Sequence, residues 1–280
     1  MQYKYVTEKV DYSFLSSGRV FYSLPGHPAF PIRLASEIFQ RCLAHRLAIG
    51  GSSSGCTLYD PCCGAAYHLS VLAHLHGEHI REVIASDIDE KAVALADRNL
   101  RLLSLAGLDR RIDEIKKMVE RYGKASHQDA LQSALFLRQR LSILRRDHPL
   151  KNHVFQASAT DRKQILDHIA TGSVNVVFTD VPYGWHSRWQ GAEHSAASNP
   201  LNSLLDALLP VLSEVSLVAI VSDKGQKAAH ESYRRLEQFQ VGKRRVTILT
   251  PSGDIHSRRT RQQFMDERRR QDQQHVHEGA

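Results

Sequence analysis

Thr179-Asp180-Val181-Pro182-Tyr183-Gly184 follows the apolar run Val174 to Phe178, which reads as a buried parallel strand. A carboxylate, a proline and an aromatic ring therefore leave one sheet end together. Pro182 fixes its own φ and pushes Val181 toward an extended state, so the backbone beside Asp180 is stiff. Such a loop can accept hydrogen bonds from a planar nitrogen group while a ring stacks on it. That arrangement would orient a nucleobase or amide nitrogen for alkylation. The plain alternative is an ordinary strand-to-loop turn.

Other predicted strand ends carry related chemistry. Asp60-Pro61-Cys62-Cys63-Gly64-Ala65-Ala66-Tyr67 has small residues that let backbone approach a ligand. It is not GxGxxG, because Ala66 stands where a second glycine would sit, so a pyrophosphate cradle is not indicated. Asp87 closes the next strand, about 27 residues on, where a carboxylate can take both hydroxyls of a ribose. Asp89 is the better cap for the helix that follows, which leaves Asp87 for a ligand. The third end, Ala157-Ser158-Ala159-Thr160-Asp161, offers Ser158 as a weak partner for an adenine amino group, with Asp161 as a helix cap. Together these ends suggest a nucleoside pocket beside a carboxylate-Pro-Tyr clamp, and S-adenosylmethionine suits it better than NAD. Cys62 and Cys63 flank the expected methyl donor but have no base nearby, so packing is the expected role.

The elements that must position these residues alternate. Helices are expected at Pro31 to Ile49, Ala65 to His76 and Asp89 to Leu103, and strands at Cys56 to Asp60 and Glu82 to Asp87. This β-α-β-α start is the signature of a doubly wound parallel α/β sheet. The next strand, His153 to Ala157, arrives only after some 65 residues. Ile112, Ile115, Val119 and Tyr122 mark one extra helix in that span, and Leu131, Leu135, Leu141 and Leu144 another. Helices Lys163 to Ala170 and Leu201 to Leu212 and a strand Ser216 to Ser222 continue the pattern. A helix near Ala228 to Phe239 and a last strand, Val246 to Thr250, complete it. The expected organisation is an N-terminal arm and helix (1–55), a core (56–250, insert about 104–150) and a polar, disordered tail (251–280).

The net charge is +7, which fits a polyanionic partner. From Asp97 to Lys151 there are 13 Lys/Arg against seven Asp/Glu, so the insert carries +6 of it. Lys116, Lys117, Arg145 and Arg146 are candidate RNA contacts there, with a merely solvated helical hairpin as the alternative. Arg33 and Arg41 on the first helix, and Trp185, Arg188 and Trp189 after the clamp, are further candidates. No apolar run approaches the roughly 20 residues of a membrane span, and the first ten residues lack the apolar middle of a secretory signal. Four cysteines without a CxxC pair suggest neither a disulfide framework nor zinc, and the 16 histidines show no metal spacing. A cytosolic monomer is expected.

Asp60-Pro-Cys-Cys-Gly64, Ala85-Ser-Asp87-Ile88-Asp89 and Thr179-Asp-Val-Pro-Tyr-Gly184 resemble the class I S-adenosylmethionine-dependent methyltransferases. Phe30 to Arg41, the insert after the second strand and Val241-Gly-Lys-Arg-Arg-Val246 resemble more closely the AviRa-type, avilamycin-resistance rRNA guanine methyltransferases. The likeness covers roughly residues 20 to 250. It implies a Rossmann-like α/β fold: a seven-stranded, mostly parallel sheet, helices on both faces and a helical insert after strand two. It also implies S-adenosylmethionine held by Asp60, Cys62, Gly64, Asp87, Ile88, Ser158 and Ala159. Asp180, Pro182 and Tyr183 would serve methyl transfer to a guanine of 23S rRNA, at ring N1, with orthosomycin resistance as the outcome. Ala66 and Ser158 depart from the family pattern, where glycine and aspartate are usual, and the Arg-rich tail is extra. Two other readings stay open from the residues: transfer to adenine N6 or a protein glutamine amide, and a non-catalytic RNA-binding module with a vestigial pocket.

Overall fold

Five parallel strands build the centre of the molecule, and the inner ones, β1 (Cys56–Asp60) and β4 (Val174–Asp180), are apolar on both faces because helices cover both sides. The computed structural model describes residues 3–23, 29–181 and 199–253. Among them lie β1 (Cys56–Asp60), β2 (Ile80–Asp87), β3 (Lys151–Gln156), β4 (Val174–Asp180), β5 (Leu212–Asp223), β6 (Tyr233–Val241) and β7 (Arg244–Pro251). They form one sheet of order β3-β2-β1-β4-β5-β7-β6, with β7 antiparallel to both neighbours.

The helices are α1 (Ile32–Ala48), α2 (Tyr67–Leu75), α3 (Glu90–Arg101), α4 (Leu105–Tyr122), α5 (Ala125–Asp147), α6 (Arg162–Leu166) and α7 (Pro200–Leu208). Their starts follow capping chemistry. Asp89 accepts from the Lys91 N–H, Ser104 from Gly107, Asp161 from Lys163 and Gln164, and Asn199 from Leu201. Leu58, Val176 and Phe178 face α1, α2 and α3, while Tyr59 and Val177 face α6 and α7. This is the period-2 alternation of a strand buried on both sides.

The insert is the helical pair α4–α5. It packs through Leu108, Ile112, Ile115, Leu137 and Leu141 onto Leu15, Val20 and Phe21 of the N-terminal arm. One expectation fails: Ala228 to Phe239 is not a helix, and Tyr233–Val241 is the edge strand β6. Tyr233, Leu236 and Phe239 mimic helical spacing because a bulge between Arg235 and Glu237 inserts one residue into the alternation. The open edge of β7 then recruits the segment, and pairing overrides local propensity.

The arm is fastened at several points. Glu37 of α1, fully buried, accepts backbone N–H bonds from Lys4 (2.7 Å), Tyr5 (2.9 Å) and Val6 (3.0 Å) and a side-chain bond from Arg41 Nε (2.8 Å). Arg41, only 3% exposed, also pairs with Glu237 of β6. Farther along, Asn99 of α3 exchanges two hydrogen bonds with the Tyr22 backbone and donates a third to the Ala65 carbonyl.

Candidate active site

Parallel strands bring their carboxyl ends to one edge of the sheet, and there Asp60, Asp87 and Asp180 end β1, β2 and β4. The loop after β1 and the arm enclose an open cleft at this edge, with an empty volume of about 640 Å³. Cys62, Cys63, Gly64 and Ala65 line it from the loop, His68, Phe30 and Asp180 group together beside them, and Tyr22 and Ser23 line it from the arm.

The loop is held in shape by the two carboxylates beneath it. Asp60 Oδ1 accepts from the Cys62 N–H (2.9 Å), and Asp87 Oδ2 from the Gly64 N–H (2.8 Å). Ala66 then enters α2 with φ 51° and ψ 30°, the one positive φ outside glycine among the described residues. Its conformation is the one a glycine would take, at a strain of roughly 1–2 kcal/mol. Its methyl group is buried in the core, so the departure at Ala66 leaves the cleft open.

Burial pushes the Asp60 carboxyl up to about 7, in spite of the Cys62 N–H bond, and the Asp87 charge pushes the same way. Asp87 is also raised by burial. Both cysteine thiols stand well above their ordinary range, from burial first and then from Asp60 and Asp87. Asp180 lines the cleft while Asp60 and Asp87 sit beneath its loop, and neither Cys62 nor Cys63 offers a sulfur nucleophile.

His68 reaches the same place from the second position of α2. Its Nε2 lies 3.3 Å from the Phe178 carbonyl oxygen and 3.3 Å from Asp60 Oδ2, and its ring packs on Phe178 and Phe30. Burial lowers its pKa, so the ring is neutral at pH 7. On the arm, the Tyr22 ring is sandwiched between Arg98 (3.8 Å) and Arg111 (4.3 Å), and its hydroxyl donates to Glu114 (2.7 Å).

The structure brings Asp60, Cys62, Gly64, Asp87 and Asp180 together. Ile88 lies beside Asp87, 37% exposed, with its carbonyl taken by Gln156 Nε2. The Ser158 N–H is taken by Gln164 Oε1 and its hydroxyl lies 3.1 Å from Thr160, so Ser158 has little left for an adenine ring. Ala159 is buried in the core on the α6 side. Pro182, Tyr183, Trp185, Arg188 and Trp189 lie outside the described residues.

Several basic candidates are reassigned. Arg145 does not present a free cation: its guanidinium bonds the carbonyls of Ala73, Leu103 and His148 and is half-buried. Burial lowers its pKa to about 10. Arg145 and Arg146 end α5 just before β3 begins, at the amino edge of the sheet, opposite the cleft. Lys116 pairs with Asp113 (3.6 Å), and Lys117 is exposed on α4. Arg33 donates to the Val6 carbonyl (2.6 Å) and covers Tyr3, and Arg41 is buried between Glu37 and Glu237. Both hold the arm rather than a phosphate.

Sequence reasoning missed Tyr22, Phe30, Glu37, His68 and Asn99. For His68 only a weak signal existed, since Ser70 and His74 share the same buried helix.

Five parallel strands with an antiparallel hairpin at the end, and a cleft above the carboxyl ends of β1, β2 and β4, are the architecture of class I methyltransferases. Within that class the chain belongs to the AviRa rRNA methyltransferase family, whose profile matches residues 1–244. It is 39% identical over 253 residues to the 23S rRNA (guanine(2535)-N(1))-methyltransferase of Streptomyces viridochromogenes, covering 90% of this chain and 97% of that one. Two solved structures of AviRa from the same organism superpose with TM-scores of 0.77. They share 38% and 36% identity and cover 91% and 92% of this chain, and 98% and 99% of theirs. Among the described residues no helix is long and apolar enough to cross a membrane, and no group of His, Cys, Asp and Glu could hold a metal ion.

Proposed function

We infer that this chain transfers a methyl group from S-adenosylmethionine to ring N1 of a guanine in 23S rRNA, with orthosomycin resistance as a consequence. One observation carries the reading: Asp180 lines a cleft together with the Cys62–Ala65 loop, and Asp60 and Asp87 hold that loop from the neighbouring strand ends. The Asp180 carboxylate suits a donor that carries a sulfonium and an ammonium group. Asp87 is set to hold the ribose hydroxyls, and Asp60 with the Cys62–Gly64 backbone the amino-acid end. Bound there, the donor supplies an electrophilic methyl group.

Guanine N1 carries a proton that must leave as the N1–methyl bond forms. Asp180 is positioned at the cleft to accept it, with Pro182 stiffening the loop and Tyr183 stacking on the base. The protein's main contribution is alignment, which is worth roughly 7–11 kcal/mol in favourable cases. Trp185 and Arg188, close behind in sequence, extend the same contact. The open cleft beside Ala66 argues against a vestigial pocket.

The test is radiolabelled methyl transfer to unmodified 23S rRNA, followed by digestion to nucleosides. N1-methylguanosine is the expected product. Label on adenosine, or no label with donor binding absent by calorimetry, overturns the assignment.

A further inference from the structure

Some cations of the insert are engaged: Arg111 pairs with Glu114, Lys116 with Asp113 and Arg138 with Asp109, and Arg145 is bonded to backbone carbonyls. Another group of cations lies at the cleft edge of the sheet. β5 runs parallel to β4, so its end, Asp223, lies at the same edge as Asp180. β7 runs the other way, so its start lies there too: Arg244 is opposite Asp223 and Arg245 opposite Ser222. The turn at Gly242, with φ 59°, therefore projects Lys243 beside the cleft. The turn after β5 adds Lys224 and Lys227.

Of these five cations, Arg245 already donates to the Gln226 carbonyl (3.0 Å). Asp223 spends one oxygen on the Gly225 N–H (2.8 Å). Among the described residues, none of the five has a carboxylate within 4.0 Å. Lys224, Lys227 and Lys243 are exposed. Arg244 is directed at the site itself, its guanidinium lying 5.5 Å over the ring of Phe30, which lines the cleft and packs on Phe178, two residues before Asp180. Arg245 lies two strands from the β4 line, roughly 10 Å at ordinary strand spacing. A target base entering the cleft thus carries its flanking phosphates over this hairpin.

We propose that Lys224, Lys227, Lys243 and Arg244 form the docking surface for the RNA backbone beside the target nucleotide, and that the insert is scaffold for the arm. This inference rests on the rRNA reading above. Backbone contacts of this kind release counterions, so they appear in the salt dependence of binding.

The test uses the full chain, unmodified 23S rRNA and two triple variants. The first is Lys224→Ala/Lys227→Ala/Lys243→Ala, all exposed and therefore neutral for folding; the second is Lys116→Ala/Lys117→Ala/Arg146→Ala. RNA affinity is measured from 50 to 300 mM salt, on the order of the range where counterion release dominates. The first variant should lower the slope of log K against log salt by about 2–3, at roughly 0.7–0.9 per lost phosphate contact. It should also weaken binding at least about tenfold near physiological salt, with donor affinity unchanged. The second should keep the wild-type slope. If the slopes move the other way round, or the first variant keeps the wild-type slope, the hairpin surface is wrong while the activity stands. If the wild-type chain neither binds nor methylates the RNA, the rRNA reading itself falls and the surface with it.

Discussion

Glu37→Gln should release residues 4–6 of the N-terminal arm from α1. The carboxylate holds four donors: three backbone N–H groups of residues 4–6 and Arg41 Nε. An amide cannot match them. If its nitrogen takes the place of Oε2, it meets the Tyr5 and Val6 N–H groups; if it takes that of Oε1, it meets Lys4 and Arg41. Either rotamer breaks two bonds and reduces the other two from charged to neutral strength. Charged hydrogen bonds contribute about 1.5–3 kcal/mol and neutral ones about 0.5–1.5. Arg41 keeps Glu237, so no buried cation is orphaned. The cost should be about 3–5 kcal/mol, limited above by what the arm gains on docking. The pH dependence has a definite sign. Burial alone would raise the Glu37 pKa, but the Lys4, Val6 and Tyr5 N–H bonds and Arg41 outweigh it and hold it below its ordinary value. Its contribution is therefore complete above that ordinary value and is lost as pH falls through the lowered one, a dependence the amide removes. Urea unfolding at pH 7 with limited proteolysis of the arm reads the effect. A loss under about 1 kcal/mol, with the arm no easier to cut, would refute the anchor role.

Asp180→Ala should cut methyl transfer by at least about 10³-fold while donor affinity by calorimetry changes little; near-normal turnover would remove Asp180 from the chemistry. Asp60 has the opposite sign to Glu37: raised to about 7 from 3.8, it favours the folded state at low pH and loses that advantage as pH rises through 7. Asp60→Asn should therefore gain about 2–3 kcal/mol of stability relative to the native chain between pH 5 and pH 8, and a constant difference in urea titrations would contradict a protonated Asp60. Cys62→Ala and Cys63→Ala should each retain transfer within roughly tenfold, since neither thiol is ionised; a hundredfold loss in the same assay would restore a sulfur nucleophile. Gly107→Ala places a methyl group against the Arg101 carbonyl oxygen at the start of α4, so unfolding free energy should fall by about 2–3 kcal/mol, and no loss would mean that the turn can shift.

The parallel strands and capped helices were legible because local signals agreed: continuous apolar runs for β1 and β4, and Asp89, Asp161 and Ser104 at helix starts. Asp60, Asp87 and the Gly64 loop were legible because strand ends of a parallel sheet share one edge. Tyr22 and Asn99 were not, since 77 residues separate them and neither has a local pattern. Arg41 read as a surface cation of the first helix, yet tertiary burial with Glu37 makes it part of an anchor. The bulge in β6 disguised a strand as a helix. Charge counting pointed to the insert because sequence gives the number of cations and not their partners.

Fastening the arm to distant residues has a consequence for the order of events at synthesis. Residues 17–23 are translated well before the groups that secure them, Asn99, Arg111 and Glu114. The Arg41 of α1 waits longer still for Glu237 of β6. The arm is thus among the last segments to be locked, and a chain whose translation stops before β6 lacks the Arg41–Glu237 tie between α1 and the sheet edge.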